Sequence, residues 1–201
     1  MHPAPTTEKL LRLVREMGFV RTTDVVARGI PAEHLRRLHR RGLLAQPARG
    51  LYRLADYDPS VHHSLAAVSK KIPHGVVCLL SALQFHDMTT QLPHEVWLAI
   101  DRRAWRPSAT GLPVRFVRFA EAALREGVEE HVVEGVRVRV TNPARTVADC
   151  FKYRNKIGLD VALEALRDVY RRRRCSMDEL WKYAKMCRVA NVMRPYTESV
   201  Q

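Results

Sequence analysis

The sequence predicts a mixed α/β (α+β) protein, an N-terminal winged helix-turn-helix followed by a mixed α/β domain with a small sheet. Three observations predict it. Short helical segments with apolar stripes, each stopped by glycine, fill the first forty residues. Two short leucine-bearing strands around Pro47-Ala48-Arg49-Gly50 follow them directly. Beyond residue 57, strand-like and helix-like segments intermingle with no internal repeat.

The first helix is expected to open at a Thr6 cap, with Glu8 near its positive end. Leu10, Leu11, Leu13, Val14 and Met17 form its apolar stripe, and Gly18 stops it. Thr22-Thr23 read as a second cap, ahead of a short apolar helix over residues 24–27. Gly29-Ile30-Pro31 then turns the chain, and Pro31 is placed to start a third helix that ends at Gly42. Two helices, a glycine-containing turn and a further helix is helix-turn-helix spacing. On the third helix Leu35 and Leu38 share one face, with Ile30 and Leu43 able to join them. Ala32, Glu33, Arg36, Arg37 and Arg40 fall on the other side. Residues 43–46 and 51–54 read as strands joined by a turn at 47–50, and Pro47 confines the first to an edge. A hairpin directly behind such a helix is a wing.

Ala55-Asp56-Tyr57-Asp58-Pro59 reads as a polar connector, which puts the domains at 1–57 and 58–201. In the second part, residues 60–71 are expected to be helical, with a break at Ile72-Pro73-His74-Gly75. Residues 76–85 read as one strongly apolar helix. Residues 96–100 and the alternating 114–119 read as strands, and 128–133 with 136–140 as a hairpin around Glu134-Gly135. Asn142-Pro143 opens a helix through Lys152, and another is expected over 159–170. Ser176-Met177-Asp178-Glu179 is a capping-box sequence for a last helix to about residue 188.

The 46% hydrophobic content supports a buried core. A net charge of +13 and a pI near 10.2 favour a polyanionic partner, nucleic acid ahead of anionic membrane. The charge is uneven: residues 1–55 hold eleven Lys+Arg against four Asp+Glu, a far higher density than the remainder. No stretch reaches the roughly 18 apolar residues of a membrane span, and the N-terminus lacks a signal-peptide pattern, so a cytoplasmic protein is expected. Cys78, Cys150, Cys175 and Cys187 are scattered, with no C-x-x-C pair. His62-His63 and His86 with His94 lack the carboxylate or thiol that would complete a metal site. Neither a metal nor a cofactor is expected.

Residues 33–54 carry six arginines. The third helix is expected to enter a major groove, with Arg36, Arg37, Arg40 and Arg41 reaching bases and backbone and Ala32 and Glu33 at its leading end. Arg49 at the wing tip and Arg53 behind it reach the flanking backbone or minor groove, while Thr22 and Thr23 offer hydroxyls to a phosphate. Glu33 either pairs with Arg37 one turn on or accepts from a cytosine amino group; the pairing is the simpler role. In the second part, Arg145 and Asp149 lie four apart and can pair, either to hold a helix against the sheet or as a functional polar site. His86, beside Asp87 at the end of an apolar helix, is either a histidine set against a helix dipole or a general base. Arg171–Arg174, with Lys182 and Lys185, read as a solvated run or a further nucleic-acid contact.

These motifs together resemble the AbiEi-family antitoxins of type IV toxin–antitoxin systems. The N-terminal likeness lies in Phe19-Val20-Arg21-Thr22-Thr23-Asp24-Val25, in Leu35-Arg36-Arg37-Leu38, in Arg41-Gly42-Leu43-Leu44 and in the wing Ala48-Arg49-Gly50-Leu51-Tyr52-Arg53-Leu54. Further on, Leu80-Ser81-Ala82-Leu83-Gln84-Phe85-His86, Pro93-His94-Glu95-Val96-Trp97 and Thr141-Asn142-Pro143-Ala144-Arg145-Thr146-Val147-Ala148-Asp149 extend it across roughly residues 7 to 188. The resemblance implies a repressor that binds repeats in its own promoter; no enzymatic activity is expected, and with no heptad for a dimer a monomer or weak dimer on inverted repeats suffices. It also implies a C-terminal domain that counters a nucleotidyltransferase-like toxin acting on tRNA, without a stable complex.

Two other classes compete. A fused nuclease needs an Asp followed by Glu-x-Lys on an adjoining strand. Asp101 ends a strand, yet Glu95-Val96-Trp97 and Glu164-Ala165-Leu166 carry a neutral residue where the lysine belongs. A metabolite-responsive repressor would keep the same wing and place a pocket near His86, Trp97 and Trp105.

Overall fold

A computed structural model describes residues 5–58, 60–107 and 111–199. Residues 1–4 of the N-terminus and Pro59 of the connector lie outside the described residues. The chain forms two compact units: Met1–Gly75 with Trp105–Val114 and Glu130–Val138, and Val76–Ala104 with Arg115–Glu129 and Arg139–Gln201. Among the described residues there are ten α-helices and sheets of three and five strands.

In the first unit, helix α1 (Pro5–Met17) has proline in its first turn, so Thr6 is helical rather than the cap expected. Gly18 follows at φ 65°, and a Cβ there would lie 1.9 Å from the carbonyl oxygen of Glu134, so no other residue fits without displacement. After β1 (Val20–Arg21), helix α2 runs Thr22–Val26 and begins two residues before the expected start. Its N-terminus is satisfied by Asp24, whose carboxylate accepts from the Arg21 backbone N–H at 3.0 Å, so Thr22 and Thr23 are first-turn residues and not caps. Helix α3 is Glu33–Arg40, with Leu35 and Leu38 fully buried and Ile30 beneath them. Leu43, expected to join that face, is 40% exposed.

The wing is β2 (Leu44–Ala48) and β3 (Leu51–Leu54), in a sheet of order β1-β3-β2. Pro47 falls inside β2 rather than in the turn, tolerated because β2 is an edge strand with a register shift between Ala45 and Ala48. Among the described residues two apolar clusters hold this unit. Leu10, Val14, Val20, Val25, Ile30, Leu35, Leu38, Leu44 and Tyr52 bury the helix-turn-helix. Phe19, Ala48 and Leu51 pack with Ala66 and Ala67 of helix α4 (His63–Lys71) and with Val136. That second cluster is why the unit continues past residue 57.

The five-stranded sheet has the order β6-β5-β4-β8-β7. Its strands are β4 (Val76–Val77), β5 (Val96–Asp101), β6 (Val114–Phe119), β7 (Val128–Val133) and β8 (Val136–Thr141). β4 pairs antiparallel with β5 and parallel with β8. The single helix expected over 76–85 is therefore strand β4 followed by helix α5 (Leu79–Phe85). The break falls at Leu79, which sits at φ 50°. Helices α6 (Pro143–Lys152), α7 (Arg154–Ile157), α8 (Leu159–Arg172), α9 (Met177–Met186) and α10 (Ala190–Ser199) complete the chain. Asn142 caps α6 by accepting from the Arg145 N–H at 2.8 Å, and Ser176 caps α9 by accepting from that of Glu179. α9 is not the last helix: α10 follows it, with Pro195 inside. Val147, Phe151, Val161, Leu166 and Leu180 centre the second core. Among the described residues no helix is long and apolar enough to cross a membrane.

Candidate nucleic-acid interface

The first unit sets a recognition-type helix against a wing. Arg36, Arg37, Arg40 and Arg41 are all exposed, on the side opposite Leu35 and Leu38. Glu33 does not pair with Arg37. Its carboxylate accepts from Arg36 at 3.3 Å and from Arg40 at 2.9 Å, while Arg37 meets the His34 ring at 2.7 Å. The arginines at i+3 and at two turns both reach Glu33, whereas Arg37 lies nearer His34 on the same helix surface. These side chains are about two-thirds exposed, so the pairs are weak and free to rearrange.

Between the leading end of α3 and the wing lies a cavity of about 210 Å³, lined by Thr22, Ala32, Arg36, Arg49 and Gly50 together with Gln46 and Tyr52. Four residues singled out in the sequence therefore meet here. Gly50, at φ 73°, makes the tight wing turn, and its carbonyl accepts from the Thr22 N–H at 2.9 Å and from the Thr22 hydroxyl. That bond seats the start of α2 against the wing tip. Arg49 is exposed, and its carbonyl accepts from Lys71 of α4. Gln46 Nε2 donates to the Tyr52 hydroxyl at 3.2 Å, and both were missed in the sequence. Gln46 is legible only once the bulge in β2 is known, because the bulge shifts which wing residues face α3.

Thr23 and Arg41 are exposed outside this cavity, and Ala32 is half-buried in it. Arg53 is turned inward. Its Nη1 donates to the carbonyls of Leu54 and Tyr57 at 3.1 Å each, which fixes the exit of β3.

Asp24 anchors the whole arrangement. Its carboxylate takes Arg21 at 2.8 Å and Lys70 of α4 at 3.3 Å. Burial works to raise its pKa, but the hydrogen bonds from Arg21 and the charge of Lys70 outweigh it and hold the carboxyl at about 2. Glu134, at the hairpin turn, accepts from the Ser60 N–H and hydroxyl and from His63. Burial opposes those bonds, yet its pKa is lowered.

In the second unit, Arg145 and Asp149 are paired at 2.9 Å and almost sealed from solvent, at 1% and 0% side-chain exposure. Arg145 also donates to the Glu126 carbonyl, and Cys187 Sγ donates to Asp149 at 3.3 Å. Burial pushes the Asp149 pKa up against the pull of Arg145. His86 closes α5, its Nε2 2.8 Å from the Thr141 carbonyl, which also accepts from the Thr146 hydroxyl. Trp97 lies under the Arg115 guanidinium, and Trp105 is 92% exposed. Glu95 pairs with Arg115, Glu164 accepts from Thr89 and Thr90, and Asp101 accepts from the Arg103 N–H. Among the described residues no group of three His, Cys, Asp or Glu stands together to hold a metal ion.

Residues 8–55, which include α2, α3 and the wing, match the family model described as a transcriptional regulator, AbiEi antitoxin. Comparison with curated proteins returned no match. The fold is similar to that in the crystal structure of the RV2827C protein from Mycobacterium tuberculosis, with a TM-score of 0.65 and 15% identity, covering 92% of this chain and 72% of that one. At that identity the likeness concerns the fold alone.

Proposed function

We propose that the chain is a cytoplasmic DNA-binding repressor of its own operon and a non-enzymatic type IV antitoxin. The observation that carries the DNA-binding part is the cavity where Thr22, Arg36 and Arg49 converge beside Gln46. A backbone phosphate seated there takes two guanidinium groups, and the Thr22 hydroxyl once it turns from the Gly50 carbonyl, while α3 lies in the major groove. Arg37, Arg40 and Arg41 extend the contact along the duplex. Arg53 supports the wing from behind, and Glu33 holds Arg36 and Arg40 until DNA replaces it. Two copies on inverted repeats complete the operator complex.

The antitoxin part is supported by the family match at residues 8–55 and the further motifs of the second part. In this reading the second unit opposes a nucleotidyltransferase-like toxin without a stable complex. His86, Arg145 and Asp149 act there through the fold: two are buried and the third holds a backbone carbonyl.

A titration of the full chain against its own upstream DNA and a scrambled duplex tests the repressor. Selective binding that Arg36→Ala and Arg49→Ala each weaken supports it. Equal, weak binding to both duplexes that vanishes with salt overturns it. Survival of cells expressing the neighbouring toxin, with and without this chain, tests the antitoxin part separately.

A further inference from the structure

Helices α8, α9 and α10 line a partly open cavity of about 220 Å³ that none of the roles above uses. Its walls are Leu166, Val169, Met177 and Leu180, three of them nearly inaccessible to solvent. Tyr170 and Arg173 stand exposed on its lining. Among the described residues no Asp or Glu lines it. Thr197 reaches it from α10, but its hydroxyl already donates to the Arg194 carbonyl at 2.8 Å, so the interior leaves that group satisfied.

The placement of Arg173 is set by its neighbours. Arg172 and Arg174 both grip Asp168 at 2.9 Å, and both donate to the Asp87 carbonyl. Arg173, between them, closes α8 in the left-handed conformation at φ 49°, ψ 44°, which turns its side chain away from theirs and onto the cavity. It has no carboxylate partner among the described residues. A largely apolar chamber whose guanidinium has no acid partner among the described residues matches an amphipathic anion.

We propose that this cavity binds a small apolar carboxylate, a compact aliphatic or aromatic monoanion. Its hydrocarbon part lies among Leu166, Val169, Met177 and Leu180, and its carboxylate takes the Arg173 fork. The volume is below the roughly 300 Å³ at which drug-sized sites begin, so the ligand is small. The proposal stands independently of DNA binding and gives a metabolite-responsive repressor a different pocket from the one expected near His86, Trp97 and Trp105.

Cys175 provides the readout. It lines the cavity and is half-buried, whereas Cys78, Cys150 and Cys187 are buried. Burial raises its thiol to about 11, so the full chain is labelled under mildly alkaline conditions with a methanethiosulfonate, which reacts with thiols and not with amines. Octanoate and benzoate are titrated into the labelling reaction and, separately, into a calorimeter, with octanol, benzyl alcohol and octylamine as matched controls. The expected result is saturable protection of Cys175 by a carboxylate, with Kd of about 1 mM or tighter. Arg173→Gln weakens it about tenfold, as loss of a charge-assisted contact does. Met177→Trp, which fills the chamber from a half-exposed wall, abolishes it, and Arg171→Gln leaves it unchanged. Circular dichroism confirms that each variant is folded. Absence of saturable binding by either carboxylate overturns the proposal, and so does equal binding of acid and alcohol. Binding indifferent to Arg173→Gln in a folded protein does the same.

Discussion

The helix–wing surface and the core of the second unit both use arginine beside an acid on a helix, and with opposite consequences. At Glu33 the carboxylate and its two arginines stand 60–72% exposed, where water and salt screen the pair and the guanidinium groups stay available to a ligand. At Arg145 and Asp149 a similar spacing is shut inside the protein, with the Glu126 carbonyl and Cys187 satisfying what remains. There the pair is bound to the fold, because separating it strands a charge away from water. One motif therefore leaves its arginines open to solvent in one region and forms a structural pin in the other, and burial alone decides which.

The largest expected effect breaks the buried member. Arg145→Met or Asp149→Leu each leaves the other charge unpaired and costs about 3–5 kcal/mol. At about 2–4 °C per kcal/mol for a chain of this size, thermal unfolding shifts by roughly 6–20 °C. The double variant, apolar on both sides, recovers much of that loss. If the single variants melt like the parent, the pair is not a pin.

Next comes Gly18→Ala. The left-handed φ and the Glu134 carbonyl 1.9 Å from the new Cβ together cost at least about 2 kcal/mol, read by denaturant unfolding. The surface arginine follows. Arg36→Ala leaves unfolding unchanged and weakens binding to operator and scrambled duplexes by a similar factor, as loss of a phosphate contact does. A loss of about 1–3 kcal/mol confined to the operator makes it a guanine contact instead.

The smallest effect is in acid. The Asp24 pKa is lowered from an ordinary 3.8 to about 2, so the stability that its pairs contribute is present above about pH 4 and lost as pH falls toward 2. Asp24→Asn removes that dependence, leaving a protein less stable at neutral pH whose acid profile is flatter over this window. Urea midpoints measured from pH 2 to 5 read it directly.

The winged helix was legible because its signals are local. Glycines stop α1 and α3 where the stripes end, and Leu35 and Leu38 mark the buried face. The cap of α2 was misread because hydroxyls at Thr22-Thr23 resemble caps, while Asp24 performs that role from within the helix. Strand β4 was hidden because two valines continuous with an apolar run carry no period of their own, and Leu79 turns the chain without a glycine. Helix α10 was hidden behind Pro195 and by the end of obvious apolar spacing. The inward turn of Arg53, the partners of Glu33 and the sealing of Arg145 depend on neighbours distant in sequence. Periodicity cannot report them.

In the proposed DNA complex the exposed arginines of the helix–wing surface lie on phosphates and bases. The measurement that tests this most directly is the salt dependence of operator binding for the parent chain and for Arg36→Ala with Arg49→Ala combined. Each lost phosphate contact lowers the slope of log K against log salt by about 0.9, so the double variant is expected to lose one to two such steps while remaining folded. An unchanged slope would place the charge that meets DNA elsewhere on the protein, and the helix–wing surface would lose its assignment.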